Sequence, residues 1–243
     1  MRILQSLHVL LWISFSNCTI GFASDGDTPD GVHLFVLSGQ SNMQGHRPEE
    51  AFTPAVEKAL GAKNVIVVQD ALGGQPIQRW YKEWKSPKGE EPQSTGDLYD
   101  RLITKVKSAT KDKKFASVTF IWMQGERDAK MKWAAVYEKS LRGLHQQLVD
   151  DLGHADIGFV IGRLSDFDLN NQRYPEWTVI RDIQVKVADS SKRFRWVNTD
   201  DLNDGINRAG RKIQNDLHYS AEGYKILGER FAAEALQLVN GSK

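Results

Sequence analysis

His33-Leu-Phe-Val-Leu-Ser-Gly-Gln-Ser41-Asn-Met-Gln-Gly-His46 is a short apolar run that breaks on a glycine and then presents one serine. Leu34 to Leu37 has the length and composition of a buried strand, and Gly39 allows the backbone to turn sharply after it. Ser41 is therefore expected at the carboxyl end of a strand, the rim on which open α/β sheets bind their ligands. A helix starting near Asn42 would aim free N–H groups at any oxyanion formed beside Ser41. Taken alone, the segment reads equally well as a βα turn in which Ser41 is only a capping residue.

Three further segments follow the same pattern or complete it. Asp70-Ala-Leu-Gly-Gly74-Gln-Pro-Ile-Gln-Arg-Trp80 follows the apolar run Val65 to Val68, and Trp122-Met-Gln124-Gly125-Glu126-Arg-Asp128 follows Val118 to Ile121. Asn215-Asp216-Leu-His218-Tyr-Ser-Ala-Glu-Gly-Tyr224 precedes the last amphipathic stretch. In this order the four blocks resemble the SGNH hydrolases, and within them the sialate O-acetylesterase and acetylxylan-esterase type of carbohydrate esterase. The resemblance covers nearly all of the chain after its N-terminal segment. Its specificity lies in Gly-Gln-Ser-Asn-Met and Trp-x-Gln-Gly-Glu taken together.

The rest of the chain alternates strand and helix patterns, which implies a parallel sheet covered on both faces. Leu98, Leu102 and Val106 form one helical stripe, with Asp97 as its cap. Tyr137, Leu141, Leu144 and Leu148 form a second, closed by Gly153. Ile157 to Ile161 and Phe194 to Val197 read as strands, and Trp177, Ile180 and Gln184 as a helix after Pro175. Ser220 is expected to cap a last helix with Tyr224, Leu227, Phe231 and Leu238 inward, ending at Gly241. The expected fold is a three-layer α/β/α sandwich on a five-stranded parallel sheet, and its flavodoxin-like strand order is what the resemblance implies.

At 243 residues, 40% hydrophobic and 26% charged, the sequence fits one α/β domain over residues 31–243. Arg2, the apolar run Leu7 to Phe15 and the exit Gly21-Phe-Ala23 read as a signal peptide over residues 1–23, too short in its apolar part for a membrane span of ~20 residues. Residues 24–30 read as a flexible leader. Cleavage would remove Cys18, the sole cysteine, and leave 31 Lys and Arg against 31 Asp and Glu. A cysteine-free, charge-balanced protein is expected to have no disulfide, no nucleic-acid partner and no membrane partner. The expected location is periplasmic or secreted.

Ester hydrolysis by a serine needs a base, and His218, in a loop before a helix, is the candidate. His8, His145 and His154 read as structural, and His33 would sit at the far end of its strand. The resemblance usually places an Asp three residues before the catalytic histidine, where this chain has Asn215. The triad acid is then either Asp216 or Glu126, with Glu126 favoured as a rim residue. Oxyanion donors implied by the resemblance are the N–H groups of Ser41 and Gly74 and the Gln124 amide. Trp80, with Trp84 as its companion, is a candidate sugar platform. Arg127 stands where relatives often have a small residue, and would narrow the pocket, meet an acidic sugar or make a surface ion pair. No metal or organic cofactor is expected. These residues predict a serine esterase that removes short acyl groups, acetyl first, from an acetylated carbohydrate. The competing readings are a lipase-like or thioesterase-like SGNH enzyme and a carbohydrate-binding pseudoenzyme that has lost its triad at Asn215.

Overall fold

A computed structural model describes residues 31–87, 89 and 91–241; the expected signal peptide and leader lie outside them. The five apolar runs each become a strand: β1 Val32–Gly39, β2 Val65–Ala71, β3 Phe115–Met123, β4 Ile157–Gly162 and β5 Phe194–Val197. All four pairings are parallel, in the order β2-β1-β3-β4-β5, the flavodoxin-like order. Strands so placed are covered on both faces, which is why they read as continuous rather than alternating apolar runs.

Among the described residues seven α-helices accompany the sheet: α1 Ser41–Gly45, α2 Phe52–Leu60, α3 Asp97–Ala109, α4 Glu126–Met131, α5 Ala134–Leu152, α6 Trp177–Ala188 and α7 Ala221–Asn240. Side-chain alternation along the strands sorts them into layers. Phe35 of β1 meets Phe52 of α2 edge-on, and α7 packs with α2 on that same face. Trp122 of β3 points the other way, toward the Tyr137 hydroxyl of α5, and α6 packs beside α5. The Tyr99 hydroxyl ties α3 to α5 through the Gln147 carbonyl and Asp151. A small antiparallel hairpin, β6 Gly205–Ile206 and β7 Lys212–Ile213, precedes the His218 loop.

Helix termini follow the sequence at α5 and α7. Gly153 ends α5 in the left-handed region, and the Ser220 hydroxyl accepts the Gly223 N–H at the start of α7. At α3 the expected cap is corrected. Gly96, with φ near 61°, occupies the cap position, and Asp97 is the first helical residue. Its carboxylate is taken by Arg79 and the Thr95 hydroxyl instead.

Register decides where the functional loops emerge. Gly39 lies level with Ala71 of β2 and with Met123 of β3. The three segments that follow, beginning at Gln40, Leu72 and Gln124, therefore leave the sheet at one height on one rim. Gly39 itself has φ near 146° and lies so close to β3 that a Cβ would stand 2.0 Å from the Met123 carbonyl oxygen. Only glycine permits the turn that delivers Ser41.

Candidate active site

A cavity of about 270 Å³ opens at this rim, lined by Gln40, Ser41, Gly73, Gly74, Glu126, Arg127, Lys130, Tyr174, Leu217 and His218. Of the residues singled out in the sequence, Ser41, Gly74, Glu126, Arg127 and His218 are thus brought together from four separate segments. Ser41 is the first residue of α1, where a helix supplies no acceptor for the backbone N–H. Gly74 lies in a loop held from both sides. The Gly73 N–H donates to Gln44 Oε1 at 2.9 Å, and Arg127 Nε donates to the Gly74 carbonyl at 2.7 Å. Among the described residues neither the Ser41 nor the Gly74 N–H has a protein acceptor.

Glu126 opens α4 and is only 1% exposed. Asn42 Nδ2 donates to its Oε1 at 3.1 Å, while Oε2 has no hydrogen-bond partner. Burial, with a smaller push from Asp128, raises its pKa to about 7. The same Asn42 amide donates to the Leu217 carbonyl, and the Tyr224 hydroxyl donates to Asn42 Oδ1. One side chain therefore joins the Ser41 segment, Glu126, the His218 loop and α7. The His218 ring is exposed and makes no hydrogen bond among the described residues.

Asp216 is placed differently from the expectation. Its Oδ1 accepts the backbone N–H of His218 at 2.9 Å, a local turn bond that shapes the loop, and it makes no hydrogen bond to the ring. It lines a neighbouring cavity rather than this one. Asn215, with φ near 44°, is also a fastener: Nδ2 donates to the Phe167 carbonyl, Oδ1 accepts from Asn203, and its N–H donates to Asp204.

Two further expectations are corrected. The Gln124 amide does not reach the cavity. It is completely buried, and Nε2 donates to Asp128 Oδ2 at 2.6 Å, with Gln75 O and Gln40 Oε1 also within reach. An amide so engaged braces the loops and has no hydrogen left for an oxyanion. Trp80 is no sugar platform. The 3-10 turn Ile77–Arg79 carries the chain inward, leaving the Trp80 indole fully buried against Trp122 at 5.2 Å with Nε1 on Ser38 Oγ. Trp84 is likewise buried, against Trp133.

Sequence reasoning missed Gln40, Lys130, Tyr174 and Asp128. Lys130 had a signal, one turn after Glu126 on the same helix. Tyr174 lies in an irregular loop with none. Asp128 is fully buried, accepts the Ile77 N–H as well as Gln124, keeps Oδ1 without a partner, and is raised to about 7 by burial. Among the remaining histidines, His33 pairs with Ser117 at the opposite end of β1 and His145 with the Ile157 carbonyl, both structural.

Comparison with known proteins follows this geometry. No curated protein matches the chain. Among solved structures, a protein from Arabidopsis thaliana superposes with a TM-score of 0.63 at 18% identity, over 85% of this chain and 98% of that one. A carbohydrate acetylesterase from Xanthomonas citri gives 0.60 at 16%, over 87% of this chain and 56% of that one. NanS gives 0.60 at 14%, over 88% and 99%. At such identities these likenesses show the α/β fold alone. The family is established by residues 45–237, which match carbohydrate esterase, sialic acid-specific acetylesterase; with the match spanning most of the sequence, the chain belongs to that family of carboxylic ester hydrolases.

Proposed function

We propose that the protein is a serine esterase that removes acetyl groups from a carbohydrate through an acyl-enzyme. The observation that carries this reading is the convergence of Ser41, His218, Glu126 and Gly74 on one cavity. Ser41 Oγ attacks the acetyl carbonyl as the His218 imidazole takes its proton. The carbonyl oxygen becomes an oxyanion that accepts from the N–H groups of Ser41 and Gly74. Collapse breaks the ester bond, and the imidazolium returns the proton to the departing sugar oxygen. Water, deprotonated by His218, then releases acetate and restores Ser41.

Glu126 is the acid that orients the imidazole and stabilises its charged form. Its support is that Glu126 and His218 line one cavity and that the buried Oε2 has no hydrogen-bond partner, set against an Asp216 whose Oδ1 is spent on the backbone. A cavity of about 270 Å³ suits an acetyl group and one sugar ring. Arg127 and Lys130 at its edge favour an acetylated sugar that carries a carboxylate. The N-terminal segment supports secretion or a periplasmic location. The test is active-site labelling together with acetate release. A phosphonate should label Ser41, and acetate release from acetylated sugars should vanish in Ser41→Ala. Labelling elsewhere, or release that survives the substitution, overturns the reading.

A further inference from the structure

Beside the catalytic cavity lies a second one of about 470 Å³ that shares Lys130, Tyr174 and Leu217 with it. Its outer wall carries Phe167, Arg173, Asn215 and Asp216. The Phe167 and Tyr174 rings meet edge to face at 5.8 Å, and each has a cation over it: Arg173 over Phe167 at 5.2 Å, Lys130 over Tyr174 at 5.6 Å. Among the described residues neither cation is in a salt bridge with a carboxylate. Their N–H groups remain available to a ligand.

The two loops that form this wall are held in place. The buried Asp168 carboxylate accepts the backbone N–H groups of Gln172, Arg173 and Tyr174 at 3.1, 2.8 and 2.7 Å. Opposite it, Asn215 sits in the left-handed region and bonds across to the Phe167 carbonyl, so the His218 loop and the Phe167 loop are tied together. The surface combines aromatic rings with cationic donors lying over one face of each, apolar and polar contacts of the kind that recognise a pyranose. It adjoins a catalytic cavity with room for little more than one sugar.

We propose that this second cavity is a subsite for a sugar glycosidically linked to the acetylated one, so that the substrate is an oligo- or polysaccharide. The proposal rests on the esterase reading given above. The acetylated ring enters the catalytic cavity, the chain passes Tyr174, and the neighbouring sugar lies against Phe167 and Tyr174 with Arg173 donating to its hydroxyl or carboxylate oxygens.

The test uses two substrate pairs, O-acetylated xylose against O-acetylated xylotriose, and O-acetylated sialic acid against a trisaccharide bearing it. In the pair the enzyme hydrolyses better, the trisaccharide should have a kcat/KM roughly tenfold above the monosaccharide, since a charged hydrogen bond and ring contact each contribute several-fold. Arg173 is exposed, so Arg173→Ala should fold, and it should lower that ratio several-fold, to the share that ring contact alone supplies. A wild-type ratio near one, or a ratio that Arg173→Ala leaves intact, overturns the subsite. Calorimetric titration of the deacetylated trisaccharides supplies a readout independent of turnover. Binding weakened by Arg173→Ala supports the subsite, and no binding of either trisaccharide to the wild type overturns it. Failure of the esterase reading looks different: p-nitrophenyl acetate would not be hydrolysed, or its hydrolysis would survive Ser41→Ala.

Discussion

Glu126→Gln separates stability from catalysis, because the carboxylate, as the proposed triad acid, has opposite effects on the two. The side chain is fully buried, with Oε1 held by Asn42 and Oε2 unpartnered. Burial lifts its pKa from 4.5 to about 7, so the folded protein favours the neutral form. A raised acid of this kind contributes stability that is complete below about pH 4.5 and is lost as pH rises through about 7. Above pH 7 the ionised carboxylate then costs on the order of 3 kcal/mol relative to the unfolded chain. Glutamine has the same shape, keeps the acceptor for Asn42 and carries no charge. Its melting temperature at pH 8 should equal or exceed that of the wild type.

Activity should move the other way. The amide nitrogen in place of Oε2 cannot stabilise an imidazolium, and loss of a triad acid lowers kcat by roughly a thousandfold to ten-thousandfold. In the wild type, kcat/KM should rise through pH 7 as Glu126 ionises. The assay is p-nitrophenyl acetate hydrolysis from pH 5 to 9, with melting curves over the same range. Asp216→Asn should cost far less, because asparagine still accepts the His218 N–H through its carbonyl oxygen. A Glu126→Gln enzyme within tenfold of wild type, or an Asp216→Asn enzyme more impaired than Glu126→Gln, would refute the assignment.

The remaining predictions use the same preparations. Ser41→Ala should abolish turnover with an unchanged melting temperature, since a rim hydroxyl without a protein partner contributes little to folding; more than a few per cent residual rate would reject Ser41 as nucleophile. Arg127→Ala releases the Gly74 carbonyl and should lower kcat by roughly tenfold to a hundredfold through a loosened oxyanion donor, with KM for p-nitrophenyl acetate little changed; a pure KM effect would make Arg127 a binding residue only. Acetyl esters should be processed far faster than octanoyl esters, and a preference for octanoyl would favour a lipase. His46 is buried edge-on to Phe231 with its pKa lowered by burial to about 4, so it withholds stability as pH falls from about 6.5 toward 4; His46→Leu should flatten that part of the melting-temperature profile, and an unchanged slope would assign the acid sensitivity elsewhere.

The sheet was legible because buried parallel strands require uninterrupted apolar runs, and the helices because sets such as Leu98, Leu102 and Val106, or Tyr137, Leu141, Leu144 and Leu148, recur at helical spacing. α2 was not, having only Phe52 and Val56 buried and a proline in its first turn; nor was the hairpin, whose two-residue strands carry no period. Within the site, backbone-defined elements were readable: the serine after Gly39, the glycine loop and the histidine before α7. Side-chain destinations were not. The sequence Ile77-Gln-Arg-Trp80 carries no mark that a 3-10 turn sends the indole inward, and Gln124 looks the same whether its amide meets an oxyanion or Asp128.

The departure at Asn215 and the burial of Glu126 are connected through the loop between them. A carboxylate at position 215 would face the Phe167 carbonyl that now accepts the Asn215 amide, and that tie holds the His218 loop to the wall of the second cavity. With the amide there, the loop is fixed, and the acid left on the histidine's own segment, Asp216, bonds the His218 backbone rather than its ring. Asn42 acts from the other side, bonding to Glu126 and to Leu217 with one amide, so that the proposed acid and base are held in register by the residue next to Ser41. Chain separation between Glu126 and His218 is therefore no obstacle to their acting together. The Asn42 side chain thus fastens the Glu126 and His218 loops to each other.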